Sequence, residues 1–249
     1  MEIEDMLEQV TTETLQEKAY EAIKDSIMRN DFLPGQPLSV DELARDLGVS
    51  PTPVREALTR LSGDGLVERA RNKTACVAEI TEDDVHRTYE VRKLLEPYAT
   101  SLVAKKVKLD STLKDDLQEL ARKIEEIHKI ATNTSLSSSQ YEEYLQIDLG
   151  VNAVILKALD NTLLRKLLSL VNNHSRRVRS FTEAISKPHE ANIIRMNNEE
   201  HLTIIRALID GNSEMTKEVV QQHLHNVENR TTRAIKNSYD KVQNQARGG

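Results

Sequence analysis

The chain has 249 residues, which is enough for two domains of ordinary size, and its formal net charge is −6. Hydrophobic residues make up 38% of the chain and charged residues 30%, a composition that excludes an intrinsically disordered protein. Aromatic residues make up only 3%, so the core must be aliphatic, which favours helices. No segment has the pattern of a signal peptide or a membrane span, and the single Cys76 excludes an internal disulfide framework. We therefore expect a cytoplasmic protein that does not associate with membranes.

Apolar residues recur at helical spacing in three segments of the first 80 residues, and turn residues separate these segments. Gly48 ends the second segment, Ser50 has the character of a helix N-cap, and Pro51 fits the first position of the third helix. Two short extended runs joined by polar residues then indicate a β-hairpin. The expected helices span residues 14–29, 40–47 and 51–64, and the expected strands span residues 66–70 and 75–80. This order predicts a winged helix-turn-helix over residues 1–78.

The third helix has one apolar stripe for its own core, which leaves the opposite face for the major groove of DNA. Its N-terminus also favours phosphate. Arg55 is the best candidate for a base-edge or phosphate contact, because its guanidinium offers a rigid two-pronged donor. Between residues 50 and 73, five basic residues stand against three acidic ones, a local excess of +2 in an acidic chain. The predicted DNA-contacting residues are Ser50, Thr52, Arg55, Thr59, Arg60 and Lys73. The alternative is a winged helix that contacts proteins or has lost DNA binding.

From Thr81 onward the sequence predicts helices only, which places the domain boundary near residues 79–81 and an all-helical domain over residues 79–249. The expected helices span residues 82–106, 110–131, 139–159, 162–181, 193–210 and 213–236. The polar tail beyond about residue 239 is expected to be frayed. The predicted fold class is therefore mainly α, with three helices and a small hairpin in the first domain and a helical bundle in the second.

A few polar residues lie within the apolar faces of these helices. Asp148 and Asn152 are four residues apart and share one face, while His201, His223 and Arg92 each lie in line with apolar residues. Burying such groups is costly unless they meet each other, a metal or a ligand. Asp, Asn and two His on three different helices predict a cavity inside the bundle.

Residues 33–68, LPGQPLSVDELARDLGVSPTPVREALTRLSGDGLVE, closely resemble the DNA-binding domain of the GntR family of regulators. Two departures matter. Pro51 stands where the family usually has an Arg that commonly contacts DNA, and residues 72–74 stand where the wing usually carries an Arg-Gly pair. The operator is therefore expected to differ from the family's common one.

The helices that follow resemble the FCD type of effector domain, on the segments 89–96, 148–161, 200–211 and 223–224. Together the two resemblances cover residues 15–233. They imply a homodimer on a double-stranded DNA operator, and a transcriptional regulator that is more often a repressor than an activator. A small organic acid or sugar acid is the effector that the family implies.

The resemblance also implies a candidate metal site. Many members of the subgroup hold a divalent metal with one Asp and three His, and a small carboxylate often completes the site. Asp148, His201 and His223 match three of these ligands by position, and Asn152 stands where the family has its other His. The site either keeps its metal (zinc or nickel), with Asn152 or water as the fourth ligand, or binds metal weakly and prefers a harder cation. In the third interpretation it is metal-free, and Asn152, His201, His223 and Arg92 hold an organic anion directly or simply form hydrogen bonds in the core.

Arg92 also has two interpretations. As a functional residue it would pair with an effector carboxylate, and as a structural one with a nearby Glu or with Asp148. Arg176, Arg177 and Arg179 are expected to form a solvated basic face, although one of them could line the cavity. The other histidines are interpreted as surface or local residues: His86, His128, His174, His189 and His225.

Two other classes of function compete with an acid-controlled regulator. Asp148 and two His could hold a hydrolytic zinc, but no general base is recognisable and the helix-turn-helix would have no role, so we do not expect an enzyme. A metal-responsive regulator, in which the ion itself is the signal, is the alternative function.

Overall fold

A computed structural model describes residues 15–69, 74–185 and 191–247; the side chains of residues 69, 148, 180, 183–185 and 238–247 lie outside this description. The chain divides into two compact units, Met1–Ile80 and Thr81–Gly249. No described helix has both the length and the apolar character that a membrane-spanning segment requires.

The first unit has three helices and a three-stranded antiparallel sheet. The helices are α1 (Leu15–Met28), α2 (Val40–Leu47) and α3 (Pro51–Gly63), and the strands are β1 (Pro37–Leu38), β2 (Val67–Arg69) and β3 (Ala75–Val77), in the order β1-β3-β2. The predicted hairpin is confirmed, with Val67 opposite Val77. Strand β1 was not predicted. It is only two residues long and begins with Pro37, which suits an edge strand because proline has no N–H to donate.

Local sequence explains the helices of this unit. The Ser39 hydroxyl caps α2 by accepting the N–H of Glu42, and Gly48 ends the helix in the left-handed conformation at φ 66°. Ser50 is the N-cap residue of α3, as predicted, but its side chain forms no capping hydrogen bond. The predicted apolar stripe of α3 is confirmed as buried and consists of Val54, Ala57, Leu58 and Leu61.

The second unit contains only helices in its described part. They are α4 (Glu82–Val107), α5 (Ser111–Asn133), α6 (Ser138–Ala158), α7 (Thr162–Ile185), α8 (Ala191–Ile209) and α9 (Ser213–Arg247). Helix α4 packs along α7, α8 and α9, and α5 packs along α6 and α8. The six predicted helices are therefore confirmed. Helix α9 continues to Arg247, beyond the expected end at residue 236, since no Gly or Pro interrupts the sequence before Gly248. The expected fraying beyond residue 239 stays a prediction.

Candidate DNA-binding surface and ligand site

Helix α3 presents its predicted DNA face to solvent. The five candidates in the described part, Ser50, Thr52, Arg55, Thr59 and Arg60, are all exposed. The Thr59 hydroxyl donates to the Arg55 carbonyl at 2.8 Å, which turns it back onto the helix. Lys73, the sixth candidate, lies outside the described residues.

Arg60 is held by neighbours in its own unit. Its Nη1 donates to the Glu17 carboxylate at 2.5 Å, and its guanidinium carbon lies 3.7 Å from the centre of the Tyr20 ring. The Tyr20 hydroxyl in turn donates to Asp64 at 2.7 Å. Burial and this hydrogen bond raise the pKa of Tyr20 to about 12. Arg55, by contrast, has no side-chain partner among the described residues, so its guanidinium is the more available of the two.

In the second unit, Arg92 is buried against a carboxylate. It is 5% exposed, and its Nε and Nη2 donate to the two carboxylate oxygens of Glu96 at 2.5 and 3.3 Å. Its Nη1 donates to the Ser175 hydroxyl at 2.8 Å, and its guanidinium lies 4.7 Å from the centre of the Tyr89 ring. Burial lowers the pKa of Arg92, but the Glu96 carboxylate outweighs this effect and raises the pKa overall. Arg92 is therefore a permanent buried cation.

His201 on α8 and His223 on α9 meet inside the bundle, as predicted. Their ring centres lie 4.9 Å apart, and His201 is only 7% exposed. Burial lowers the pKa of both rings. The neighbouring His223 and Arg179 lower the pKa of His201 further, whereas the Glu200 carboxylate offsets only part of the effect of burial on His223. Both imidazoles are consequently neutral at neutral pH, the form that can bind a metal or accept a hydrogen bond.

Glu200 fixes the orientation of His223. Its carboxylate accepts the Nδ1–H of His223 at 2.7 Å, and it also accepts from Asn226 and Arg230 at 2.9 Å. Burial would raise the pKa of Glu200, but the hydrogen bonds from His223 and Arg230 lower it to about 2. Because the carboxylate holds Nδ1, the Nε2 atom of His223 remains as the acceptor or ligand atom.

Asn152 lines a small pocket between α4, α6 and α7 that is partly open to solvent and has a volume of about 20 Å³, room for about one water molecule. The residues around it are Glu96, Ala99, Thr100, Asn152, Ile155, Leu156, Leu168 and Asn172. Neither candidate histidine is among these described lining residues. The structure therefore brings His201 and His223 together and places Asn152 beside Glu96, the partner of Arg92.

The residues present fit a metal in part. Two neutral imidazoles, one backed by a carboxylate, form an arrangement typical of metal ligands. Asn152 offers only an amide oxygen, which is a poor ligand for zinc. The side chain of Asp148 lies outside the description, and within the side chains described no group of three or more His, Cys, Asp or Glu is arranged to hold a metal.

Sequence reasoning missed four residues of this interior: Glu96, Ser175, Glu200 and Arg230. Glu96 follows Arg92 by one helical turn, so its spacing could have revealed the pair. Ser175 and Glu200 reach their partners only through helix packing. The expected solvated face on α7 is wrong for Arg177, which is 8% exposed, and Arg179 lies close enough to His201 to lower its pKa.

The fold and these sites define a two-unit protein with a winged helix-turn-helix and a helical domain of the ligand-binding type. Residues 15–77 match the family model "Bacterial regulatory proteins, gntR family", and residues 87–226, more than half of the chain, match the FCD domain. The chain belongs to the GntR family of bacterial regulatory proteins, in the group that carries an FCD domain.

Individual relatives agree. The chain is 27% identical over 208 residues to the uncharacterized HTH-type transcriptional regulator YdhC of Bacillus subtilis (strain 168), covering 83% of this chain and 86% of YdhC. It is 28% identical over 218 residues to LutR of the same organism, covering 81% and 94%. The solved structure of E. coli McbR/YncC has the same fold, with a TM-score of 0.67 and 18% identity over 92% of this chain and 99% of that one. The protein is thus a DNA-binding transcriptional regulator and not an enzyme.

Proposed function

We propose that this regulator is a cytoplasmic homodimeric repressor whose affinity for a near-palindromic operator is controlled by a small organic acid or sugar acid in the helical domain. The observation that carries the proposal is the buried pair of Arg92 and Glu96 beside a pocket lined by Asn152. An apolar bundle gains no stability from burying such groups, so a ligand-binding role accounts for them.

DNA recognition is assigned to the N-terminal half of α3 and the wing. The contacting residues are Ser50, Thr52, Arg55, Thr59, Arg60 and Lys73. Arg55 contributes most to the affinity for DNA, because its guanidinium is exposed and has no side-chain partner among the described residues that it must give up on binding. Phosphate contacts by the others would set the register of the helix, and Arg55 would read a base edge or hold a phosphate.

The test is binding of the protein to its own promoter DNA, measured by fluorescence anisotropy. Arg55→Ala is expected to lower the affinity tenfold or more, about 1–3 kcal/mol. Arg29→Ala is the matched control, because Arg29 is exposed in the same unit, is not part of α3 and pairs with Asp31. Undiminished binding by Arg55→Ala would rule out the proposed role of α3.

Two exposed apolar stripes support the homodimer. Val91, Leu94 and Tyr98 follow one face of α4, and Leu94 is 71% exposed. A second stripe on α7, which packs against α4, consists of Leu163, Leu167 and Leu170. We assign a second copy of the chain to these stripes, because an operator with two half-sites requires two winged helices.

The ligand pocket suits a hydroxyl-bearing acid. The amides of Asn152 and Asn172 can donate hydrogen bonds to hydroxyl groups or accept hydrogen bonds from them. Arg92 supplies a positive charge nearby, because it binds Glu96, which lines the pocket. Helix α4 is the first helix after residue 80, so a ligand-dependent change in α4 would act on the segment that joins it to the DNA-binding unit. The ligand releases DNA only to the extent that it prefers the state that does not bind DNA.

Repression is a simpler mechanism than activation, because a dimer bound to the operator excludes RNA polymerase from overlapping DNA and needs no contact with the polymerase. A promoter–reporter fusion in a strain lacking the gene tests this. Repression predicts a rise in reporter output when the gene is deleted, and a fall would indicate an activator. Sugar acids added to the anisotropy assay should release DNA, whereas the corresponding neutral sugars should not.

The pair of neutral histidines favours a second candidate function, a metal-responsive regulator. His201, His223 and Asp148 would hold a divalent ion such as zinc or nickel, and Asn152 or water would complete its coordination. Elemental analysis of protein purified without chelator or a nickel column tests this. Near-stoichiometric metal in the wild type that is lost in His201→Ala would support a metal site at these residues. A metal-dependent change in operator affinity in the absence of an acid would support the metal as the signal. Absence of metal from both proteins would favour the acid alone.

A further inference from the structure

The Glu96 side chain stands between the pocket and Arg92. Its two carboxylate oxygens accept from the Nε and Nη2 groups of Arg92, and the same residue lines the pocket beside Asn152. Arg92 is not among the described lining residues of that pocket. Glu96 is therefore the residue that links the pocket to the guanidinium of Arg92.

The guanidinium would keep its position if Glu96 moved away. Its Nη1 donates to Ser175 on α7, and the Tyr89 ring lies against its face. The Nε and Nη2 groups that Glu96 occupies form the fork that binds a planar carboxylate with two parallel hydrogen bonds. Any carboxylate that reached this fork would find the geometry that Glu96 now uses.

We propose that Glu96 is an internal competitor for the ligand, and that an effector carboxylate binds by taking its place on Arg92. This inference rests on the proposed function and specifies how the acid is recognised. The exchange preserves charge, because the buried cation keeps one carboxylate partner throughout. Glu96, 13% exposed at the pocket edge, can turn towards solvent as it leaves. A neutral ligand offers no such exchange, so the site selects anions.

The exchange places the response to the ligand on α4. Glu96 and Arg92 are one turn apart on this helix, and the Thr100 hydroxyl one turn further donates to the Glu96 carbonyl at 2.8 Å. Releasing the Glu96 side chain breaks a contact within α4 and replaces it with one to the ligand. The ligand thus alters the helix that leads directly from the DNA-binding unit.

Chemical rescue tests the exchange without knowledge of the natural effector. Glu96→Ala removes the competitor and leaves Arg92 without its carboxylate, which should lower the melting temperature by about 10 °C. Sodium acetate at about 100 mM should restore at least about 3 °C of this loss, because acetate fits the vacated fork. Acetamide, its neutral isostere, and sodium chloride at equal ionic strength should not.

Two variants serve as controls. The double variant with Glu96→Ala and Arg92→Met lacks the cation and should not respond to acetate. Glu228→Ala removes another buried carboxylate from the same domain, but its partners Lys93 and His86 do not face the pocket, so acetate should again have no effect. If Glu96→Ala does not fold, Glu96→Gln gives the same comparison with a smaller rescue.

A larger stabilisation by acetate in the Glu96 variants than in the wild type, absent from the double variant, would support the exchange. An equal response in the wild type, in the double variant or to acetamide would overturn it, as would the absence of any acetate-specific response. Operator affinity measured in the same solutions keeps the two proposals separate. Rescue of stability with no change in DNA binding would uphold the exchange and contradict ligand control of the operator.

Discussion

The two units of this regulator bury different kinds of side chain. Tyrosines and Cys76 aside, every polar or charged residue that is buried in the described part of the chain lies in the helical unit: Arg92, Thr100, Ser101, Ser175, Arg177, Asn198, His201, Thr216, Glu228 and Thr231. The core of the DNA-binding unit, by contrast, is a cluster of apolar side chains built around Val54, Ala57 and Leu61. The helical unit therefore buries polar and charged side chains of a kind that the core of the DNA-binding unit lacks.

This difference predicts how substitutions behave in each unit. An exposed side chain such as Arg55 can be removed without disturbing the core beneath it, so DNA binding and stability should separate. A buried side chain such as Arg92 belongs both to the candidate site and to the packing, so ligand binding and stability should change together.

The largest effect is expected for Arg92→Met. The substitution leaves the Glu96 carboxylate without its partner, and should lower the free energy of unfolding by about 3 kcal/mol, since breaking a buried pair leaves an uncompensated charge. Urea unfolding at fixed protein concentration measures this loss. Arg122→Met is the control, because Arg122 is exposed and pairs with Glu119 and Glu126 on the surface of α5. A loss below about 1 kcal/mol for Arg92→Met would show that the interior pair is structurally dispensable.

Local patterns predicted the DNA-binding unit well and its sheet only in part. The apolar spacing of α3 and the residues Gly48 and Pro51 specify its helices from neighbouring residues alone. Strand β1 escaped prediction because two residues have no periodicity, and Pro37 and Leu38 form a strand only by pairing with β3. Sequence patterns reveal structure that a segment's own residues specify, but not structure that depends on pairing with a distant segment.

The same limit applies to the candidate site. Polar residues on apolar faces directed attention to His201 and His223, whose rings lie close together inside the helical unit. Their partners depend on how the helices pack: Glu200 is 23 positions from His223, and Ser175 is 83 positions from Arg92. No spacing rule connects residues so far apart, whereas Glu96, four positions from Arg92, was within reach of sequence reasoning.

The exposed apolar stripes give the next largest effect. These stripes are the proposed functional surface of the helical unit. Substitutions in them should therefore impair function without disturbing the core, as expected for the exposed DNA-binding residues. Leu94→Glu should halve the molecular mass measured by light scattering and lower operator affinity about 100-fold, because two half-sites no longer bind together. The melting temperature of this variant should fall only by about the amount that the dimer contact contributes to stability.

Leu109→Glu is the matched control for this variant. Leu109 is 91% exposed in the same unit but lies outside both stripes. It should leave the mass and the operator affinity unchanged. A Leu94→Glu protein that stays dimeric would assign the dimer contact to another face.

Glu228→Gln should have a smaller, pH-dependent effect. Burial would raise the pKa of Glu228, but the hydrogen bonds from Lys93 and His86, which face it, lower the pKa overall from its ordinary value of 4.5. The carboxylate therefore stabilises the fold fully above pH 4.5, and this contribution is lost as the pH falls through the lowered folded-state pKa. The variant should be less stable by about 1 kcal/mol at pH 7, a value that allows for partial screening by solvent.

Urea unfolding at a series of pH values from 7 to about 3 measures this difference. The gap between wild type and variant should be constant above pH 4.5 and should narrow below it. Glu218→Gln, an exposed position on the same helix, should show no gap at any pH. A gap that widened on acidification would mean that the pairing raises the pKa of Glu228 instead of lowering it.

The smallest effects are expected at Arg60, where a candidate DNA contact is already engaged within its own unit. To reach a phosphate, its guanidinium must leave the Glu17 carboxylate and the Tyr20 ring. Arg60→Ala should therefore lower operator affinity only about two- to threefold, less than Arg55→Ala. Glu17→Gln should raise the affinity about twofold, since it removes both the competing carboxylate and a negative charge near the DNA. The prediction fails if Arg60→Ala weakens binding as much as Arg55→Ala while Glu17→Gln has no effect. In that case Arg60 leaves Glu17 and Tyr20 at no cost in binding free energy, and both guanidinium groups contribute equally to the operator contact.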